Sequence, residues 1–173
     1  MHFAQRRERL LKTLDRPLLL FAGGTIGRNY PANAYPFRAD SHFLYFFESP
    51  EPGAAAWFDP GEKSVTLFLP ERTVDDALWH GAVPSFAEEQ ARHAVAQVLP
   101  VEALESHVAR LAAGRQVDTV AVADPVTTRR AREITGADVA FEVGRVTRVE
   151  VARALAALRL FKDNHELAQM RET

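Results

Sequence analysis

The sequence contains no cysteine and carries no excess of basic residues. The absence of thiols excludes disulfides, thiolate-bound zinc and a cysteine nucleophile, and it fits a reducing compartment. A formal charge of -2 leaves no basic surplus to neutralise phosphates, so we expect no nucleic-acid partner. No apolar run approaches the length that spans a bilayer, and the charged amino-terminal stretch predicts a helix rather than a secretion signal. We therefore expect no membrane partner.

The spacing of apolar residues indicates an α/β domain. At 173 residues the chain is long enough for one domain with a small appendage, and its 47% hydrophobic content is sufficient for a core. Short apolar runs predict strands at 18–22, 43–47, 54–58, 65–69, 119–123 and 139–143. The proline-glycine turn at 59–63 predicts that the third and fourth of these strands form an antiparallel hairpin.

Capping residues and helical spacing mark the segments between these strands. Ser85 and Glu88 have the spacing of a capping box, and Gly114 predicts the end of the helix that begins at Val101. The predicted helices lie at 1–14, 73–78, from 85 onward, 101–113, 127–134 and 148–158. The order of strands and helices predicts a mixed sheet covered by helices on both faces.

Residues 35–45, here called the aromatic segment, have the sequence YPFRADSHFLY and follow a loop. We interpret the segment as a strand that emerges from a polar rim. It resembles the Y-P-[FY]-R-x-[DN]-S-x-F-x-Y signature of the amino-terminal domain of aminopeptidase P and its creatinase and prolidase relatives. The resemblance extends to positions 51–53 and 79–81, which read EPG and WHG. It implies a three-layer α/β/α domain with a mixed central sheet.

The carboxyl-terminal stretch, 158–167, has the sequence LRLFKDNHEL and resembles the family's R-x-[IVLF]-K-[SD]-x-x-E-[IL] junction. In the family this junction leads from the amino-terminal domain into the catalytic domain. The resemblance predicts a domain at 1–160 and, at 161–173, the start of a linker helix into a pita-bread metallopeptidase domain that this sequence does not contain. Asp163 and Glu166 are spaced to cap that helix. The alternative is a terminal helix docked on its own domain.

The resemblance also implies a function for the whole parent protein. The family's catalytic domain holds two divalent metals, usually manganese, through aspartate, histidine and glutamate ligands, and it releases the first residue of peptides whose second residue is proline. None of those ligand motifs occurs in this sequence. We therefore expect a non-catalytic, metal-free domain that is inactive alone. Its implied partners are its catalytic domain, proline-containing peptides and further subunits in a cytoplasmic dimer or tetramer.

Four residues are candidate substrate contacts: Trp79, Arg38, Asp40 and His42. In relatives with a tryptophan at the position of Trp79, the ring is offered to the substrate pocket of a neighbouring subunit, and its flat apolar face suits proline. The alternative is a tryptophan that anchors a loop to the core. Arg38 and Asp40 are two apart and would share one face of a strand with His42. The favoured interpretation of Arg38 and Asp40 is a salt bridge that pins the loop to the sheet.

Other hypotheses remain open. The chain could be a free-standing binding or scaffolding module of the same fold. Positions 23–27, GGTIG, resemble a segment of bacterial-type asparaginases in which the threonine is the nucleophile, which would make Thr25 catalytic in a small amidohydrolase. A glycine turn at a strand end is the simpler interpretation. His165 and Glu166 begin an H-E-x-x-H pattern that Gln169 breaks, so a capped, solvated helix is favoured there over a metal site.

Overall fold

The computed structural model describes residues 2–30, 32–48, 50–72, 81, 83–139 and 148–172. Within these ranges the chain alternates between helices and strands. The described helices are α1 (His2–Leu11), α2 (Ser41–Phe46), α3 (Phe86–His93), α4 (Leu104–Ala112, preceded by a 3-10 turn at Val101–Ala103), α5 (Pro125–Thr135), α6 (Val149–Leu160) and α7 (Asn164–Glu172). The described strands are β1 (Leu18–Phe21), β2 (Ala55–Asp59), β3 (Ser64–Leu69), β4 (Gln97–Pro100) and β5 (Asp118–Thr119). None of the described helices is long and apolar enough to cross a membrane.

The described strands form one mixed sheet in the order β4-β3-β2-β1-β5. The β2–β3 hairpin is antiparallel and places Asp59 opposite Ser64, which confirms the predicted hairpin. β1 pairs antiparallel with β2 and parallel with β5, and β3 pairs parallel with β4. The sheet is therefore mixed, as predicted.

Alternate residues of the central strands supply two separate cores. Leu18 and Leu20 of β1 belong to one cluster, while Leu19 and Phe21 belong to the other, because successive side chains on a strand point to opposite faces. Helices α1, α2 and α6 cover the first face, and α4 and α5 cover the second. The domain thus has the predicted three α/β/α layers, and the wholly apolar β1 is explained by its burial on both faces.

The prediction of a strand at 43–47 was wrong, because this stretch lies mostly in helix α2. Asp40 caps the helix through a carboxylate oxygen that accepts a hydrogen bond from the backbone of His42 at 2.8 Å. Phe43, Phe46 and Phe47 are all nearly inaccessible to solvent and belong to one core cluster. Positions i, i+3 and i+4 share one face of a helix, so helical geometry buries all three rings against the sheet.

Several local predictions were confirmed, and one strand was missed. The capping box of Ser85 and Glu88 opens α3, and a left-handed turn at Ala113 and Gly114 follows α4. β4 was not predicted, and the strand predicted at 119–123 is shorter and begins earlier. The helix predicted at 73–78 and nearly all of the strand predicted at 139–143 lie outside the described residues.

An ion pair between the buried Asp59 and the exposed Arg115 joins the β2–β3 hairpin to the segment that follows α4. Arg115 donates to Asp59 at 2.8 Å, and the backbone amides of Gly61 and Glu62 donate to the same carboxylate. Burial raises the pKa of Asp59, but these hydrogen bonds and the charge of Arg115 outweigh burial and hold the pKa below its ordinary value. The carboxylate therefore stabilises the fold only while it is ionised.

We expect Asp59→Asn to lower the free energy of unfolding at neutral pH by about 2 kcal/mol, because a charge-assisted hydrogen bond is lost. Asp59 has a depressed folded-state pKa, so its contribution is present above the ordinary aspartate pKa of about 4 and disappears as pH falls through the folded value. Urea denaturation at pH 7 and in acid measures the difference. Asp138→Asn, whose side chain is 98% exposed, is the control. A difference that persists unchanged into strong acid would contradict the expectation.

Candidate functional site

The polar residues of the aromatic segment surround the amino terminus of α2 and do not share a strand face. Arg38 is exposed, and its guanidinium lies 3.3 Å from the Ser41 hydroxyl. The described residues contain no ion pair between Arg38 and Asp40, so the salt bridge favoured from the sequence is not formed. The Asp40 carboxylate instead caps α2. The charge of Arg38 is therefore exposed to solvent.

His42 meets a residue that was not among the predicted site residues. Its Nδ1 atom lies 3.3 Å from the guanidinium of Arg159 on α6. Burial lowers the pKa of His42, while the Asp40 carboxylate raises it and Arg159 lowers it. A neutral His42 can accept a hydrogen bond from Arg159 through Nδ1, which joins the aromatic segment to the end of the domain. The sequence feature that could have identified Arg159 is its position as the arginine of the junction motif at 158–167.

A small cleft of about 100 Å³ lies beyond the end of β1, where the loop after that strand meets α2 and α5. Gly24 packs closely here, because a Cβ at this position would lie 2.8 Å from a carboxylate oxygen of Asp124 and would force it to shift. Asp124 accepts hydrogen bonds from the backbone of Val126 and Thr127 and so caps α5. The acidic groups of this cleft are thus committed to helix caps, and close packing accounts for the glycine.

A short hairpin projects from the domain directly before the aromatic segment. Gly27 and Ala34 form an isolated antiparallel bridge, and the backbone amide of Tyr35 donates to the carbonyl of Ile26 at 2.9 Å. Ile26, Tyr30 and Tyr35 expose 42%, 57% and 55% of their surface. The hairpin therefore presents apolar and aromatic side chains to solvent on a hydrogen-bonded backbone.

Thr25 is exposed at the base of this hairpin. Its hydroxyl makes no hydrogen bond to any residue that the structure describes. A threonine nucleophile requires an adjacent group to take its proton, and the described residues supply none at this position. The geometry favours the glycine-turn interpretation of positions 23–27.

The remaining predicted residues are those of the carboxyl-terminal helix and Trp79. The Glu166 carboxylate accepts from the backbone of Asp163 at 3.0 Å, and the Asp163 carboxylate accepts from the backbone of Glu166 at 2.9 Å, which confirms the predicted cap. The His165 ring stacks on His2 with centroids 3.7 Å apart. Among the described residues no group of three or more histidine, aspartate or glutamate side chains is placed to hold a metal ion. Trp79 lies outside the described residues.

Most of the chain matches a known family. Residues 3–121 match the family model described as the aminopeptidase P N-terminal domain. A protein of Aspergillus fumigatus assigned as a Xaa-Pro aminopeptidase is 31% identical over 94 residues, which are 53% of this chain and 20% of that protein. The chain thus spans about a fifth of the length of this curated relative.

Solved structures share the fold. A Bacillus anthracis protein assigned as an aminopeptidase P superposes with a TM-score of 0.75 at 20% identity, over 99% of this chain and 42% of that one. Aminopeptidase PepP of Pseudomonas aeruginosa superposes with a TM-score of 0.65 at 26% identity, over 76% of this chain and 31% of that one. Since the family match extends over more than half of the sequence, the chain belongs to the aminopeptidase P amino-terminal domain family.

Proposed function

We propose that this chain is the non-catalytic amino-terminal domain of a Xaa-Pro aminopeptidase, with the domain at 1–160 and a linker helix beginning at 161–173. The observation that carries the proposal is the superposition over 99% of this chain on a structure of which it fills only 42%. The family match at 3–121 supports the same assignment. In such a parent protein, hydrolysis belongs to the larger remaining part, and this domain narrows the access to it.

The described residues do not fit a dinuclear metal centre, because no three histidine, aspartate or glutamate side chains among them converge. We assign the two divalent metals of the parent, with manganese as the expected ion, to sequence outside this chain. When bound there, such a pair would activate a water molecule for attack on the peptide carbonyl. The present chain would contribute binding and steric selection only.

The proposed substrate rim consists of the hairpin at 26–35, Arg38, His42 and Trp79. The exposed aromatic rings of the hairpin and the indole of Trp79 suit the apolar ring of proline. Arg38 offers an exposed positive charge to the carbonyl or carboxylate oxygens of a peptide. Asp40 is the weakest of the four predicted contacts, because its carboxylate caps α2. A rim of this kind excludes folded chains and selects short peptides by sterics.

The test compares the 173-residue chain with its full-length parent on peptides that carry proline in the second position. We expect manganese-dependent release of the first residue by the parent and no cleavage by the chain alone. Cleavage by the chain alone would overturn the non-catalytic assignment. A coding sequence that ends without a second, ligand-bearing domain would favour a free-standing binding module instead. We also propose that the parent is cytoplasmic and that it forms dimers or tetramers. Sedimentation of the full-length protein would test its oligomeric state.

We expect Trp79→Ala in the parent to lower kcat/KM for Xaa-Pro peptides about 5- to 30-fold, because loss of one ring face costs on the order of 1–2 kcal/mol of transition-state binding. Trp79→Phe retains a flat ring and should keep most of the activity. The same Trp79→Ala change in the 173-residue chain should leave urea denaturation nearly unchanged. Unchanged kinetics together with a large loss of stability would instead support a tryptophan that anchors its loop to the core.

A further inference from the structure

A single buried guanidinium joins three parts of the fold at the carboxyl end of the domain. Arg6 lies on α1 with a side chain that is 5% exposed. Its Nε and Nη2 atoms donate to Asp163 at 2.8 and 2.6 Å, and Nη2 lies 3.4 Å from the Glu166 carboxylate. Its Nη1 atom donates to the backbone carbonyl of Tyr45 at 3.0 Å. Arg6 therefore contacts the first turn of α7 and the aromatic segment at the same time.

The Tyr45 side chain extends this contact to α6. The Arg6 guanidinium stacks over the Tyr45 ring at 4.3 Å from its centroid. The Tyr45 hydroxyl donates to the carbonyl of Leu158 at 2.7 Å, two residues before the last residue of α6. The end of α6 and the start of α7 are thus both tied to the same ring and guanidinium.

Helix α7 buries little apolar surface among the described residues. It contributes no buried residue, and Leu167 and Met170 remain 38% and 58% exposed. Phe161, in the turn between α6 and α7, is 81% exposed. At its first turn the His165 ring stacks on His2 and meets Phe3 edge-on at 6.4 Å between centroids. The described apolar contacts of α7 are therefore few, whereas Arg6 donates two hydrogen bonds to one oxygen of Asp163 and a third to the carbonyl of Tyr45, which restricts the placement of its planar guanidinium.

We propose that Arg6 is a positioning residue that sets the direction in which α7 leaves the domain. On the function proposed above, α7 begins the connection to the catalytic domain, so Arg6 also sets how this rim faces the active site. The fork of an arginine specifies orientation in two contacts at once, which a point charge or an apolar side chain cannot do. An ion pair that is largely removed from water adds little net stability, so we expect the main effect of this one to be on geometry.

The absence of cysteine in the sequence allows a direct test on the 173-residue chain. Two cysteines that replace Glu62 and Arg171, both exposed, take spin labels on the β2–β3 hairpin and near the end of α7. We expect one narrow distribution of the distance between the two labels in the 173-residue chain that carries no further substitution. Arg6→Gln should broaden the distribution and move its mean, while far-UV circular dichroism stays that of the folded domain. Arg9→Gln, on an exposed face of the same helix, is the matched control and should change neither.

A second variant changes the partner of Arg6, so the test remains informative if Arg6→Gln fails to fold. Asp163→Asn keeps a side chain that caps helices well but removes the charge that Arg6 binds. It should broaden the distribution as Arg6→Gln does, and the double variant should add nothing further. A distribution that remains narrow in Asp163→Asn would overturn the role of Arg6.

The full-length parent separates this inference from the proposed function. If both hold, Arg6→Gln in the parent lowers kcat/KM for Xaa-Pro peptides, and Arg9→Gln does not. A broadened distance distribution in the chain, together with a parent that cleaves no Xaa-Pro peptide, would retain the role of Arg6 and overturn the peptidase assignment. A narrow distance distribution in every variant of the chain, together with a parent that cleaves Xaa-Pro peptides, would overturn the role of Arg6 and retain the peptidase assignment.

Discussion

Replacement of Arg7 by methionine is expected to lower the free energy of unfolding by about 3 kcal/mol, because buried carbonyl groups lose a charged donor. Arg7 is 3% exposed. Its guanidinium donates to the carbonyl of Phe46 at 2.6 Å, to that of Ala94 at 3.3 Å and also to that of His93. Those carbonyls lie at the carboxyl ends of α2 and α3, where the helix dipoles favour a positive charge.

Two further variants serve as controls for Arg7→Met, one at Arg7 itself and one at an exposed arginine of α1. Burial lowers the pKa of Arg7 to about 10, so the side chain remains charged at neutral pH, where its described partners are backbone carbonyls and the Phe47 ring. Arg7→Lys keeps the charge but not the planar fork, so we expect an intermediate loss. Arg9→Ala, on the exposed face, should change the stability by less than about 0.5 kcal/mol. Urea denaturation midpoints measure all three, and a wild-type midpoint in Arg7→Met would contradict the expectation.

The parts of the fold that the sequence predicted are those with local signals. The wholly apolar β1, the turn at 59–63 and the capping box at Ser85 each specify their own conformation within a few residues. β4 was missed because its short sequence, QVLP, ends in proline and has little pattern of its own. It becomes a strand by pairing with β3, which lies about thirty residues earlier and is not a local signal.

The candidate site was predicted less well, for a related reason. Resemblance found the aromatic segment and the junction, but it could not show how they meet. The contact of His42 with Arg159 joins residues 117 positions apart, and that of Arg6 with Asp163 joins residues 157 apart. Contacts of this kind depend on the packing of α1, α2 and α6 on one face of the sheet. The roles of Arg38 and Asp40 also changed, because α2 begins where a strand was predicted.

The buried aromatic residues of α2 are expected to serve the fold, so that Phe46→Ala should cost about 3–5 kcal/mol of stability. Phe46 is fully buried, and its ring meets Tyr45 and Phe58 edge-on with centroids 5.1 and 5.5 Å away. Truncation removes these aromatic contacts and leaves a cavity between α2 and the sheet. A loss of this size is a large part of the total stability of an ordinary domain.

The control is a residue of the aromatic segment whose ring is exposed to solvent. Tyr35 is 55% exposed, and its ring contacts Arg28 at 4.9 Å, so Tyr35→Ala should cost less than about 0.5 kcal/mol. Urea denaturation of both variants distinguishes the buried ring of α2 from the exposed ring at the start of the aromatic segment. If Phe46→Ala instead retained full stability while peptide turnover by the parent fell, the buried aromatic residues would belong to the substrate site. The expected result assigns them to the core and leaves recognition to the exposed residues around Arg38.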